Sequence, residues 1–95
     1  MTWIGPTPVV QMTKGGNAYQ SVSANTLFQE VSFGFGATQL LIINEADTPC
    51  EFSFDGATVH GIVLEKGSDN STLSGQTSVW IRLTSGTGTV YVRAY

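Results

Sequence analysis

The single histidine of this 95-residue chain, His60, is the first candidate for acid–base chemistry. A hydrolytic triad would pair its imidazole with the hydroxyl of Ser53 or Ser68 and would use Asp55 to orient the ring. The alternative is a histidine that follows a hairpin turn and hydrogen-bonds to a backbone carbonyl or a neighbouring carboxylate. A catalytic assignment needs a nucleophile and a positioned base in contact, and no motif places them so. We therefore predict no catalytic residues and a protein that is not an enzyme.

The other groups that could do chemistry are sparse. Glu45, Glu51 and Asp55 could supply a carboxylate pair for glycoside hydrolysis, but solvated strand ends and turns account for them better. One histidine and one cysteine, Cys50, are too few ligands for a transition-metal centre, and the turn at Asp69 has too few carboxylates for an EF-hand calcium loop. We therefore predict no metal site and no cofactor-binding site.

Two glycine-rich segments, residues 34–36 and 86–88, are the nearest approach to phosphate-binding loops. Neither has the lysine or the strand-to-helix setting that lets such loops bind phosphate. Both are predicted to be turns or bulges.

Aromatic residues interleaved with arginine are the most distinctive feature of the C-terminal quarter: Trp80, Arg82, Tyr91, Arg93 and Tyr95. These residue types are enriched at protein interfaces, so the face that they share is a candidate contact surface. Three alternatives stay open. Both faces of the sheet are buried within one sandwich, the arginine stems cover the rings, or the rings form a platform for sugars.

Apolar residues at every second position, together with eleven glycines, predict an all-β domain. Residues 77–84 and 89–95 are predicted to be two strands of a C-terminal hairpin, joined by a glycine-rich turn. Their predicted core-facing residues are Val79, Ile81, Leu83, Val90, Val92 and Ala94.

The remaining pattern adds further short strands. Residues 40–43 are apolar on both faces, which is typical of a central strand. Residues 51–55 and 58–65 are predicted to form a second hairpin around the Asp55-Gly56 turn. The other predicted elements are a strand at 26–33 with Leu27, Val31 and Phe33 on one face, a turn at 66–70 and a short strand at 71–74. Six to eight short strands are typical of a single antiparallel β-sandwich or jelly-roll-like barrel.

Residues 1–25 differ in character, because Pro6, Pro8 and two adjacent glycines interrupt weak apolar segments. We predict that they form an extended N-terminal arm and an edge strand, and that residues 26–95 form the sandwich domain. Trp3 and Ile4 would be costly to leave in water, so they are expected to pack on their own domain or on a neighbouring chain.

Charged residues make up 12% of the chain, and its formal net charge is −3. Because its four cations are not clustered, no nucleic-acid partner is expected. The N-terminus lacks the pattern of a signal peptide, no run reaches membrane-spanning length, and a lone cysteine forms no intramolecular disulfide. We expect a soluble protein that is made in a cytosol, binds no membrane and, with its mostly neutral surface, packs in an assembly.

Five sequence features follow one another within residues 31–95. They are an apolar strand ending in Asn44, a Phe-Ser-Phe-Asp-Gly hairpin at residues 52–56, a glycine turn, an Ile-Arg-Leu strand at 81–83 and a terminal Val-x-Val-x-Ala-Tyr strand at 90–95. In this order they resemble a group of small structural proteins of tailed bacteriophages. These are fold-determining patterns without a catalytic signature, and the first third of the chain is not matched.

The resemblance implies a virion protein made in the host cytoplasm. It would be a capsid decoration (cement) protein, or a head–tail connector or tail structural protein, with the major capsid protein or other virion proteins as partners and a dimer or trimer as its own state. A carbohydrate- or receptor-binding module is the alternative from another class. The candidate interface residues are Trp3, Ile4, Pro6, Trp80, Arg82, Tyr91, Arg93 and Tyr95.

Overall fold

The computed structural model describes residues 9–11 and 20–95, and this part of the chain is all-β, as predicted. Its seven strands are β1 (Val9–Gln11), β2 (Gln20–Ala24), β3 (Gln29–Asn44), β4 (Cys50–Ser53), β5 (Gly61–Val63), β6 (Ser68–Leu83) and β7 (Gly88–Ala94). Among these residues there is no helix, and hence none long and apolar enough to cross a membrane. Two strands are long rather than short, because β3 and β6 have 16 residues each.

Hydrogen bonds join the strands into one sheet in the order β2-β7-β3-β6-β4-β5, and β1 pairs parallel with β3. The six strands β2 to β7 pair antiparallel. Residues 40–43 lie in the second half of β3, between β6 and β7, which confirms the predicted central strand.

β3 has different neighbours at its two ends. Residues 30–32 lie between β1 and β6, whereas residues 40–43 lie between β7 and β6. The register with β6 shifts between Ser32 and Ala37 and again between Ala37 and Gln39. Near the second shift, the amides of Thr38 and Gln39 both donate to the carbonyl oxygen of Tyr95, at 2.9 and 2.8 Å. Two consecutive amides that oppose one carbonyl form a β-bulge, which adds a residue to β3.

This bulge changes which residues of β3 face the core. Before it, the odd-numbered Val31 and Phe33 are buried, and after it the even-numbered Leu40 and Ile42 are buried. Side chains alternate strictly along a regular strand, so one extra residue exchanges the two faces. The bulge therefore keeps the apolar side chains of both halves of β3 in one core.

Strands β2 to β7 all contribute to that core, and most of its members are aliphatic. Burial of each larger side chain contributes roughly 1.5–3 kcal/mol to stability. The buried residues are Val22, Ala24, Val31, Phe33, Ala37, Leu40, Ile42, Ala46, Cys50, Phe52, Val63, Leu73, Val79, Ile81, Leu83, Val90, Val92 and Ala94.

Asn44, the last residue of β3, is a fully buried polar residue. Its Nδ2 donates to the carbonyl oxygens of Thr48, Val63 and Leu64 at 2.9, 3.2 and 3.3 Å, and its Oδ1 accepts from the amide of Ala46 at 2.9 Å. A buried amide is tolerated only when its polar atoms are bonded. This side chain therefore fixes the loop after β3 against the end of β5.

The predicted C-terminal hairpin is wrong. β6 and β7 follow each other in sequence, but β3 lies between them in the sheet. The turn that contains Gly86, at φ 68°, instead carries the chain across β3. Alternation and a glycine turn fit a hairpin and a crossover equally, so the pattern could not decide the pairing. The predicted inward faces of both strands are nevertheless confirmed.

In two places, strands that the sequence predicts as separate are joined into one continuous strand. Residues 26–33 and 40–43 fall largely in β3, and residues 71–74 and 77–84 fall almost wholly in β6. The intervening glycines bend these strands rather than end them. Leu27, predicted to share a strand face with Val31 and Phe33, instead precedes β3 and is 70% exposed, whereas those two residues are buried. The turn predicted at 66–70 lies earlier, where the amide of Gly67 donates to the carbonyl of Leu64.

The second predicted hairpin is confirmed, because β4 pairs antiparallel with β5 through a loop at residues 54–60. Gly61 lies opposite Phe52, and a Cβ atom at Gly61 would lie 2.3 Å from the Cζ atom of that ring. Glycine at this position lets the Phe52 ring lie over the neighbouring strand.

Among the described strands, β2 lies at one edge of the sheet, and its Val22 and Ala24 are buried in the core. The predicted arm residues Trp3, Ile4 and Pro6 lie outside the described residues.

Two isoleucines in strands test this assignment of the core. Ile42 is fully buried, whereas Ile62 is 56% exposed. We expect Ile42→Ala to lower the free energy of unfolding by about 2–5 kcal/mol, because it removes buried methyl groups and leaves a cavity. Ile62→Ala is the matched control and should cost less than about 1 kcal/mol. Urea unfolding measures both; equal losses would contradict the assignment.

Candidate functional site

An open groove of about 320 Å³ lies beside Trp80 on the outward face of the sheet. It is lined by Glu30, Phe54, Gly75, Gln76, Thr77, Ser78 and Trp80. The lining therefore comes from β3, from β6 and from the loop after β4.

The groove lies where β3 and β6 lose their regular pairing. Ser32 is paired with Ser78, but the next pair is Ala37 with Gln76, so residues 33–36 face only Thr77 across the gap. Gly34 and Gly75 have φ angles of 79° and 89°. Such angles suit glycine, and irregular pairing of this kind bends a sheet and re-aims side chains next to binding sites. The segment predicted as a turn or bulge at residues 34–36 is thus part of this irregularity.

Trp80 is held from two sides. On β6 it lies between Glu30 of β3 and Ser53 of β4 in the strand register. A Cβ atom on Gly56 would lie 3.1 Å from both Cε2 and Nε1 of the indole, and Gly56 has a φ of 81°. The Asp55-Gly56 turn can therefore pack closely against the Trp80 ring only because residue 56 is glycine.

Glu30 and Gln76 are only partly engaged with the rest of the chain. The hydroxyl of Ser78 donates to Oε2 of Glu30 at 2.8 Å, and Oε1 of Gln76 accepts from the amide of Ser74 at 2.6 Å. Within residues 20–95, neither Oε1 of Glu30 nor the indole N–H of Trp80 has a hydrogen-bond partner. The groove thus offers a carboxylate oxygen next to aromatic rings.

The residues considered for a hydrolytic triad lie close together, but not as a triad. Ser53 is fully buried and donates its hydroxyl proton to Oδ1 of Asp55 at 2.8 Å. His60 accepts, at Nδ1, from the amide of Phe54 at 3.0 Å. A triad needs an accessible hydroxyl that donates to histidine and a carboxylate that accepts from it. These bonds instead hold the β4–β5 loop, and Ser68 lies at the start of a different strand. His60 follows the Asp55-Gly56 turn as expected, but its ring accepts from an amide N–H rather than bonding to a carbonyl or a carboxylate.

The same loop determines the ionisation of Asp55. The amides of Thr58 and Ala57 both donate to its Oδ1 at 2.8 Å, and the Ser53 hydroxyl is the third donor. These bonds hold the pKa of the Asp55 carboxyl well below its usual range, because each one favours the charged form. Asp55 is thus a structural carboxylate that organises the turn beside Trp80.

The structure divides the predicted interface residues into two groups. Trp80 pairs with Glu30 near the start of β3, whereas Tyr91 pairs with Ile43 near its end. Arg82 belongs with Trp80, and Arg93 and the 43% exposed Tyr95 belong with Tyr91. The patch predicted on one hairpin face is therefore two separate patches.

Arg82 illustrates how this outward face holds a cation. Its Nε lies 2.7 Å from Oε1 of Glu51, and its guanidinium carbon lies 4.2 Å from the centroid of the Phe28 ring. The guanidinium is thus placed between a carboxylate and an aromatic ring. Glu51, considered as a catalytic acid, is the partner of this arginine.

Sequence reasoning missed Glu30, Phe54, Gln76 and Ser78 as groove residues. Glu30 is far from Trp80 in sequence, and only the register of β3 with β6 brings them together. Gly34 and Gly75 are the sequence signal for the position of the groove, because they mark where β3 and β6 bend.

Cys50 faces the core and is fully buried. Burial raises the pKa of its thiol to about 12, because the thiolate would lose its hydration. No group of three or more histidine, cysteine, aspartate or glutamate side chains that could hold a metal is found among the described residues.

Comparison with known proteins yields no relatives. No protein-family model, no curated protein and no solved structure matches the chain.

The depressed pKa of Asp55 predicts a pH dependence. Because its folded pKa lies below its unfolded value, ionised Asp55 stabilises the fold above about pH 4, and this contribution is lost as the pH falls further. The Asp55→Asn variant should therefore lose less stability than the wild type on acidification. Urea unfolding between pH 7 and pH 3 measures the difference. Asp47→Asn, which removes a highly exposed acid, is the control; identical pH slopes for wild type and Asp55→Asn would refute the assignment.

The burial of Cys50 predicts an inert thiol. We expect the native protein to react with a thiol reagent such as DTNB far more slowly than the urea-unfolded chain, since the reactive thiolate is both rare and inaccessible. A Thr72→Cys variant supplies an exposed thiol on β6 as the control. Reaction of Cys50 as fast as that of the added thiol would show that the core assignment is wrong.

Proposed function

We propose that this protein is a non-enzymatic structural component of a bacteriophage particle. In its most specific form the proposal is a capsid decoration protein that binds the shell and its own copies as a dimer or trimer. A head–tail connector or tail protein is the second position that the same chemistry would serve. The resemblance of residues 31–95 to small phage structural proteins supports this choice of particle.

The observation that carries the proposal is the apolar edge of the sheet at β5. Within residues 20–95, β5 has a neighbour on one side only, which is β4. Ile62 on β5 is 56% exposed, and Leu64, the first residue after β5, is 65% exposed. Exposed apolar side chains beside an unpaired strand edge favour pairing with another chain. An assembly protein needs such a contact, whereas in a monomeric domain the same edge promotes unwanted association.

The proposal extends to the finer architecture. β3 and β6 pair together along both halves, with β4, β5 and β1 alongside one half and β2 and β7 alongside the other. The inward side chains of both halves share one core. This arrangement supports a sheet folded over itself as a sandwich, to which the N-terminal residues would add an arm. Trp3, Ile4 and Pro6 are its proposed contacts.

The aromatic residues of the outward surface are the remaining proposed contacts. Trp80 and Arg82 lie on the half of the sheet that also carries Ile62, because Arg82 and Ile62 both pair with Glu51 of β4. A central aromatic residue surrounded by apolar and arginine side chains is the usual composition of an interface hot spot. Tyr91, Arg93 and Tyr95 would form a second contact on the other half.

Self-association and shell binding test the proposal together. We expect light scattering to detect a dimer or trimer, and phage shells that lack their small outer proteins to bind the chain at a fixed stoichiometry. The Ile62→Lys variant should weaken association by about tenfold or more, since a buried apolar contact would be replaced by a charge. Thr72→Lys adds the same charge on the exposed surface of the other half and should bind as the wild type does.

A chain that stays monomeric at high concentration and does not bind shells would overturn the proposal. Equal effects of Ile62→Lys and Thr72→Lys would overturn the assignment of β5 as the contact edge.

A further inference from the structure

The groove beside Trp80 combines one carboxylate with two aromatic rings, and none of the described residues that line it is a cation. We propose that this groove receives a basic side chain, preferably arginine, presented by the protein partner. The inference rests on the proposed assembly function and names the chemistry of the contact.

The charge of Glu30 is the first argument. Only its Oε2 is engaged within residues 20–95, by the hydroxyl of Ser78, and that neutral donor does not balance the charge. Arg82, the cation two residues after Trp80 on β6, is committed to Glu51 at 2.7 Å. A guanidinium or ammonium group entering the groove would pair with the free Oε1 of Glu30. Charge-assisted hydrogen bonds of this kind are stronger than those between neutral groups.

The second argument is an arrangement that the protein already contains. Arg82 lies 4.2 Å from the centre of the Phe28 ring and 2.7 Å from a Glu51 oxygen, so a ring and a carboxylate together hold a guanidinium on this face. Trp80 and Glu30, directly paired between β6 and β3, offer the same combination. Tryptophan is the strongest partner for a cation among the aromatic residues. Among the residues that the structure describes, the groove thus repeats the site that Arg82 occupies without containing a cation.

The remaining lining suits a donor-rich group. Thr77 and Ser78 supply hydroxyl oxygens, and Phe54 supplies a second ring. Arginine carries five N–H donors and no acceptor, and it is more weakly hydrated than lysine. We therefore expect arginine to bind more tightly than lysine. With the chain's net charge of −3, the approach of a basic partner is also favoured at long range.

The test uses N-acetyl-arginine methylamide as the probe and the full chain labelled with nitrogen-15. The indole N–H signal of Trp80 should shift in a saturable manner at millimolar probe. The corresponding citrulline compound has nearly the same shape without the charge. It should bind at least about fivefold more weakly, because both the ion pair and the cation–π contact are lost.

Matched variants separate the groove from the general acidity of the surface. Glu30→Gln keeps the Ser78 hydrogen bond possible and should weaken arginine binding about fivefold or more. Glu65→Gln removes the same charge from an exposed residue outside the groove lining and should leave binding unchanged. The same spectra show that each variant remains folded.

Three results would overturn the inference: equal binding of the citrulline compound, an unaltered affinity of Glu30→Gln, or a methyl glycoside that shifts the Trp80 signal at lower concentration than arginine. The last result would make the groove a sugar site. If shells bind wild type and Glu30→Gln equally while arginine has no effect, the inference fails and the assembly function stands. If arginine binds but the chain neither associates nor binds shells, the assembly function fails and the groove keeps its preference for a basic side chain.

Discussion

The pairing of β3 with β6 is the contact on which the rest of the described structure depends. β1 and β7 are attached through β3, β4 is attached through β6, and the edge strands β2 and β5 are attached through β7 and β4. β3 must keep apolar side chains inward in both of its halves, although a regular strand cannot bend sharply while doing so. The bulge at Thr38 and Gln39 resolves this conflict, because the extra residue exchanges the faces at the bend.

The irregular pairing of β3 with β6 also forms the candidate functional site. Where β3 and β6 cannot pair, between Ser32 and Ala37, the sheet opens into the groove beside Trp80. The nearby β4–β5 loop is held by Ser53 and Asp55, and its Gly56 packs against the indole. Rigid support of this kind fixes an aromatic side chain in one orientation, which lowers the entropy that a partner must remove on binding. Most of the groove residues therefore lie on β3 and β6, and the loop that carries Phe54 is held by hydrogen bonds.

The sequence predicts the faces of strands better than their neighbours. The alternation around Ile81 and Val92 identifies buried residues correctly, since burial follows from local periodicity. Pairing follows from contacts between distant segments, and for this reason the hairpin expected around Gly86 is a crossover. Trp80 could be singled out because tryptophan is informative by type. Glu30 could not, because a solvated glutamate acquires meaning only when the register places it beside Trp80.

We propose that the outward face carrying the Trp80 groove and the β5 edge is the surface through which this protein joins an assembly. The decisive measurement is hydrogen exchange of the chain bound to phage shells, compared with the free chain. We expect slower exchange at the amides of β5 and of residues 75–80, with little change in the second half of β3, which lies between β6 and β7. Slower exchange confined to β2 and β7, or none at all in a bound chain, would contradict it.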